Sequence, residues 1–365
     1  IADNAVTSAK TVYEDISFRN VIINGDMVVA QRGASSTGIG ASAGYFTLDR
    51  WNISTASSAG RLTMTQTADG PSGIANCLKL ACTTADTSID AAETLIVRQK
   101  IEDQNCVKFK KGTADAEQIS VSFYAKQNES RVISVGLYDS QNNRIIMNLV
   151  TVGTSWARHE ITFAADTTGA FADDTGIGFE LWFFLHAGSN YTSGTLATSW
   201  ESYTAANTAV GIGSLYASTS NTFFLTGVQV EAGDTVSDFE FLPYDVNLAR
   251  CQRYYQSSFE KGVTPGNNEA NYLMQDCSCY ADNNLYFGTP LFCEMRADPT
   301  CVYYTGNNSS SAGNKFTYIA ESGWTSGTAA NAVLTDKYIS AHGSITGSHN
   351  DSILLQYNYT FDSEL

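Results

Sequence analysis

From Arg61 to Glu231 the chain repeats one pattern: a run of seven to twelve residues rich in Val, Ile, Phe and Thr, then a break. The runs are 61–67, 77–83, 95–102, 119–127, 131–139, 144–152, 157–165, 176–187 and 222–231. Turn clusters such as DSQNN (139–143) and GAFADDTG (169–176) separate several of them, and no helical period lies between. Side chains of a strand point alternately to its two faces, so such runs cover a core as sheets and not as helices. Many short strands at this spacing predict a β-sandwich of the jelly-roll type. Composition agrees, with charged residues at 16% and only five prolines in 365 residues.

Two stretches upstream are expected to join the same sandwich. Residues 19–33, RNVIINGDMVVAQRG, read as a strand, a turn at Asn24-Gly25-Asp26 and a second strand. In 45–54, Thr47, Asp49 and Trp51 alternate with Phe46, Leu48 and Arg50, which predicts another. Arg50, Arg98 and Glu231 fall at strand centres or ends and read as members of structural ion pairs. Residues 188–221 are polar and poor in aliphatics, an excursion that Trp200 and Tyr203 either pin to the sandwich or expose.

At Pro243 the hydrophobic period changes. Leu248, Cys251, Gln252 and Tyr255 follow a spacing of three or four, and Asp245 is placed to cap a helix that proline cannot enter from inside. Leu248, Cys251 and Tyr255 are expected to pack at a domain or subunit interface. Beyond this bridge, alternation resumes and is cleanest at the end, where Ile353, Leu355, Tyr357, Tyr359 and Phe361 share one face. The expected organisation is an all-β chain: a connector over 1–17, a jelly-roll β-sandwich over 18–243, a helical bridge over 244–257 and a smaller C-terminal β-sandwich over 258–365. Ile1 is not a methionine, and the numbering is expected to start inside a longer protein.

The formal charge of −16, with no block of Lys or Arg, argues against nucleic acid, whose binding rests on cations at phosphates. No apolar run approaches the length of a membrane span, so membrane insertion is not expected. The eight cysteines are spread through apolar surroundings and read as buried free thiols; Cys277 and Cys279 are too closely spaced for a zinc pair.

Signals for catalysis are poor. Gly40-Ala41-Ser42-Ala43-Gly44 matches the nucleophile-elbow string but lies in a glycine-rich loop, not between a strand and a helix. Asp173 and Asp174 are adjacent on a turn and point apart, whereas glycosidase carboxylates flank a bond. His159 and His186 sit in strands; His342 and His349 fall near an expected tip loop. Asn24, Asp26 and Asp234 offer oxygen ligands of the kind calcium takes, although Asn-Gly-Asp is commonly only a turn. The expectation is a non-enzymatic protein with no metal or cofactor assigned.

Several phrases, taken in order, resemble phage tail-fibre (receptor-binding) proteins with a carbohydrate-binding-module-like jelly roll. They are NVIINGDMVVAQRG (20–33), YFTLDRW (45–51), VRQKIED (97–103), VSFYAK (121–126), SWARHEITF (155–163), GVQVEAGDTVSDFE (227–240) and CQRYYQ (251–256). The N-terminal IADNAVTSAK, the late MRADPT (295–300) and the closing YTFDSEL (359–365) are similar to other parts of such fibres. Met27 and Tyr124 stand where that pattern usually has Phe and Trp, and both keep a large apolar group. The resemblance implies a homotrimeric virion component, assembled in the host cytoplasm, whose N-terminal segment meets other tail proteins and whose C-terminal domain meets a host-surface glycan or protein. Trp324, Tyr303 and His342 are the candidate receptor contacts, since rings stack on pyranose faces and polar groups bind hydroxyls. A structural adaptor, fibre-shaft or head-decoration protein is the alternative, and a polysaccharide depolymerase a third, which would need two carboxylates converging in a cleft.

Overall fold

The computed structural model of the chain describes residues 18–266, 273–281, 284–305, 315–320, 323–335, 337–345 and 352–365. The connector 1–17, His349 and the turn after Thr305 lie outside them. Among the described residues the chain is all β in three sheets, with one α-helix longer than four residues. No helix among the described residues is long and apolar enough to cross a membrane.

The first two sheets face each other. A six-stranded sheet orders Ser35–Ile39, Arg61–Thr67, Cys77–Thr84, Thr222–Ala232, Ile119–Gln127 and Ala157–Phe163. Its seven-stranded partner orders Glu201–Ser202, Arg144–Val152, Arg131–Asp139, Ile177–Ala187, Thr94–Glu102, Asn52–Ala56 and Gly44–Tyr45. The chain crosses between the sheets repeatedly, which closes them over one core. Alternation decides each strand's faces. In Ile119–Gln127 the side chains of Ile119, Val121, Phe123 and Ala125 go inward, while Tyr124 and Lys126 stay half-buried on the outside. Phe183 is the hub of the core, meeting Phe123 edge-on at 5.1 Å and Trp51 at 6.4 Å between ring centroids. Each such ring contributes about 1.5–3 kcal/mol by leaving water.

The two upstream stretches do not form the expected strands. Residues 19–33 are irregular yet almost wholly buried, with Asn24 at φ 58° and Met27 at φ 60°. Their backbone groups find side-chain amides instead of a ladder. Gln99 bonds both Ile23 N (2.8 Å) and Ile23 O (2.9 Å), while Asn24 Oδ1 accepts from Val29 N (2.9 Å) and Nδ2 donates to Val29 O (2.8 Å) and Asp49 O (3.0 Å). A buried backbone needs partners but not strand partners, so this segment plugs the end of the sandwich without extending either sheet. Residues 46–51 break for a related reason. Arg50 sits at φ 70°, and both parities of the run, Thr47, Asp49 and Trp51 with Leu48 and Arg50, are buried.

Residues 188–221 cover the outer face of the seven-stranded sheet. Trp200 stacks on Phe179 (5.8 Å, 25°) and donates to Ala164 O at 2.7 Å. Tyr203 packs on Tyr138 (5.2 Å) and meets Trp182 edge-on (6.2 Å). Both aromatics therefore pin the excursion.

The third sheet is built around Ser352–Asp362. That strand pairs with Leu273–Ala281 and Lys315–Ala320 along its first half, and with Thr300–Thr305 and Tyr255–Ser257 along its second. From Leu273–Ala281 the order runs through Asn284–Pro290, Tyr338–Ser344 and Gly323–Leu334 to Lys315–Ala320, so one sheet rolls until its ends meet on Ser352–Asp362. Ile353, Leu355, Tyr357, Tyr359 and Phe361 are all buried in its core.

Helix Tyr244–Gln252 joins the two units. Pro243 is its N-cap and no side chain caps it; Asp245 lies in the first turn instead. Cys251 and Tyr254 pack with Ile23 and Val29 of the end plug, with Leu248 and Leu365 at the rim, and Tyr255 is buried beside them. Glu102 is the anchor. Its carboxylate takes Arg253 at both ends (2.7 and 3.0 Å) and the Tyr254 hydroxyl at 2.8 Å. Burial works against ionisation, but the Arg253 guanidinium and Tyr254 hydroxyl outweigh it and hold the Glu102 carboxyl below its usual range. A depressed acid stabilises the fold above its unfolded pKa, and that contribution is lost as pH falls through the depressed value. Glu102→Gln is expected to cost about 2 kcal/mol at neutral pH, as charge-assisted bonds do. The deficit should shrink on acidification below about pH 4; urea melts at pH 7 and pH 3 check this, and a gap unchanged with pH refutes it.

Candidate functional site

The outer face of the six-stranded sheet is the surface where chemistry-bearing side chains meet outside a core. Directly opposed residues on neighbouring strands share a face. Phe224 opposes Lys79 on one side and Lys126 on the other, and Tyr124 opposes Thr226 and Arg158 one row along. Trp156, just before the edge strand, closes the first row. Its ring meets Phe224 edge-on at 6.2 Å and its Nε1 donates to Asp69 O at 2.9 Å.

The row thus reads Lys79, Phe224, Lys126, Trp156, with Tyr124 and Arg158 beside it, all half-buried. The Lys126 ammonium lies 4.7 Å from the Phe224 centroid and 5.1 Å from that of Trp156, and it pairs with Asp69 at 2.9 Å. Lys79 Nζ lies 5.5 Å from the other side of Phe224. Cations near ring faces fix the rings without covering them as a packed layer would. Gly227 (φ 60°) belongs to the same surface: a Cβ there would come within 2.8 Å of the Tyr124 ring. The arrangement offers flat apolar rings ringed by N–H donors, the complement of a sugar's C–H face and hydroxyl rim.

The three residues singled out from the sequence do not converge. Tyr303 is a core residue at 0% exposure, among Phe287, Tyr357 and Phe361, because its parity in Thr300–Thr305 points into the rolled sheet. It is withdrawn as a receptor contact. His342 is half-buried and opposes Tyr286, whose ring lies 5.8 Å away. Trp324 opposes Ile319 in backbone register, and its side chain lies outside the described residues. Sequence reasoning missed Trp156 and Phe224. The available signal was parity: Phe224 stands between the buried Phe223 and Leu225, as Tyr124 does between Phe123 and Ala125.

Other polar constellations are structural. Ser214 Oγ, His186 and Glu93 form a series with both links at 2.8 Å, which looks like a nucleophile, base and orienting acid. His186 is fully buried, however, and the Ser214 oxygen caps a short turn by accepting from Tyr216 N at 3.1 Å. The trio ties three segments together. Lys111 is buried between Asp139 (2.6 Å) and Asp166 (3.2 Å), and Arg98 pairs with Glu180 at 2.9 Å. Asn24 and Asp26 are engaged by Val29, Asp49 and Asn247. Among the described residues no three His, Cys, Asp or Glu side chains gather as a metal site. The described cysteines are free thiols, Cys279 lying outside this description, and burial pushes Cys106 and Cys301 up to about 12.

No protein-family model matches the chain, and no curated protein matches its sequence. Among solved structures the chain is similar to one titled "CBM4 structure and function", at 13% identity, covering 57% of this chain and 97% of that one, with a TM-score of 0.29. It is also similar to the family 11 carbohydrate-binding module of the cellulosomal cellulase Lic26A-Cel5E of Clostridium thermocellum, at 10% identity over 57% of this chain and 99% of that one, TM-score 0.28. A third is the CBM22-2 xylan-binding domain from Paenibacillus barcinonensis Xyn10C, at 15% identity over 50% of this chain and 91% of that one, TM-score 0.26.

Proposed function

We propose that this chain is the receptor-recognising part of a bacteriophage tail fibre, and that it holds a host-surface glycan on the outer face of its large sandwich without altering it. One observation carries the glycan reading: the row Lys79, Phe224, Lys126, Trp156 with Tyr124 beside it, rings and N–H donors on one half-buried sheet face. A ring pair left at the surface of a sheet whose inner face is fully packed has no folding task that a threonine would not perform as well. The fibre reading is supported by the ordered phrases from NVIINGDMVVAQRG to CQRYYQ. Homotrimer formation and attachment to other tail proteins through the N-terminal segment belong to the same proposal.

Trp156→Ala is expected to weaken glycan binding about tenfold or more, equivalent to about 1.4 kcal/mol, because stacking contacts of this size dominate such sites. Its melting temperature should stay within a few degrees of the parent. Screening the purified chain and the variant on an array of bacterial surface polysaccharides tests this. Undiminished binding by both Trp156→Ala and Phe224→Ala would remove the site.

A purely structural virion role is the second reading. In its favour stand Phe18 at 59%, Phe241 at 57% and Phe292 at 63% exposure, apolar side chains suited to contacts between subunits. On that reading the array is blank, and Phe241→Ser with Phe292→Ser lowers the sedimenting mass.

A further inference from the structure

We infer that the saccharide taken on this face is anionic, carrying a carboxylate, sulfate or phosphate on its sugar rings; the inference rests on the glycan-binding reading above and adds the substrate class. The protein as a whole is acidic, with 37 Asp and Glu against 21 Lys and Arg. On its outer sheet face Lys79 and Lys126 flank Phe224 across three neighbouring strands, while Arg158 in the adjacent row is paired with Glu160 at 3.1 Å and Asp238 at 3.9 Å. Lys79 has no carboxylate partner among the described residues, and its recorded neighbour is the Phe224 ring at 5.5 Å. Lys126 has Asp69, whose own side chain is 53% exposed and belongs to the loop that braces Trp156.

The geometry sets where charge would fall. Both ammonium groups sit beside the Phe224 ring, one of them between it and Trp156. A pyranose laid along this row presents its exocyclic substituents to the ammonium groups that lie over the Phe224 ring from either flank. A hydroxyl facing one of them offers a weak acceptor, whereas an anionic substituent forms a charge-assisted bond. The unpaired Lys79 supplies attraction that no protein carboxylate already consumes. Nucleic acid, the other polyanion, is opposed by the protein's net charge of −16.

The test compares oligogalacturonate with its fully methyl-esterified form, in which each carboxylate is a neutral ester, titrated into the full chain and into Lys79→Gln, Lys126→Gln and the double variant. The acid is expected to bind about tenfold or more tightly than the ester at 50 mM salt. That preference should collapse in the double variant and in 500 mM salt, where charges are screened within about 4 Å, while the parent's affinity for the ester stays level between the two salt concentrations. Equal affinity for acid and ester, or a preference that survives in the double variant, overturns the inference and leaves glycan binding standing. An oligothymidylate bound as tightly as the acid also overturns it, since charge alone would then suffice. If neither probe binds, or if Trp156→Ala changes neither, both the anionic preference and the glycan reading of this face fall.

Discussion

Arg50→Ala is expected to cost about 3–5 kcal/mol, the usual penalty for stripping one partner from a buried ion pair. Arg50 is fully buried: its guanidinium lies over the Tyr254 ring at 3.5 Å, donates to Lys100 O at 2.6 Å and pairs with Glu364. Arg32 repeats the arrangement beside it, over the Tyr255 ring at 3.6 Å and reaching Asp49, Asp362 and Glu364 at 3.5, 3.1 and 3.3 Å. Two arginines of the large sandwich thereby clamp the end of the last strand of the rolled sheet. Removing Arg50 leaves Glu364 buried with half its counter-charge. The loss is a large share of a typical total of about 5–15 kcal/mol. Urea melts of Arg50→Ala, Glu364→Gln and the double variant form the check. The double variant should be less destabilised than the sum of the singles, by about 0.5–3 kcal/mol for groups in direct contact. A single variant within 1 kcal/mol of the parent, on the same scale, would show that the clamp carries nothing.

The second large effect belongs to Asn24. Its amide makes three buried bonds to Val29 N, Val29 O and Asp49 O, its own carbonyl accepts from Trp51 Nε1 at 3.0 Å, and its N–H donates to Asn247 Oδ1 at 3.1 Å. It also holds φ 58°, a region that asparagine tolerates and alanine does not. Asn24→Ala orphans the Asp49 carbonyl and the Val29 N–H, leaves Val29 O with the Asp49 N–H alone (3.1 Å) and strains the backbone, for an expected loss of about 3–5 kcal/mol from unmade buried bonds and the left-handed conformation together. Asn24→Gly keeps the conformation and loses only the amide, so it should recover about 1–2 kcal/mol of that. Equal stability of the alanine and glycine variants would mean that the conformation costs nothing here.

Both residues lie in motifs of the sequence, N-G-D and D-R-W, that do not name their partners. Asn24 reads as a turn and Arg50 as a strand residue in a structural ion pair, which it makes with Glu364. Each supplies bonds to segments far away in the chain, Asn24 to Asp49 and Asn247, Arg50 to Lys100 and Glu364. A local pattern reports which side chains want burial; it does not report which partner satisfies a buried polar group. The candidate contacts fared unevenly for the same reason. Tyr303 is aromatic and near the C-terminus, but its parity puts it in the core.

The sequence by itself determined the strands from Arg61 onward in the large sandwich. The hairpin Arg131–Asp139 with Arg144–Val152 and the strand Ile119–Gln127 have the ends their alternation predicts, because period-two patterning leaves one face to bury and turn residues leave nowhere else to stop. It also determined that a helix follows Pro243. Only the tertiary structure decided the face proposed for recognition. Lys79, Phe224, Lys126 and Trp156 come from four separate stretches, and they line up because core packing on the opposite side sets the register among strands that are not neighbours in sequence. Register between distant strands is a property of the packed core as a whole, and no window of sequence contains it.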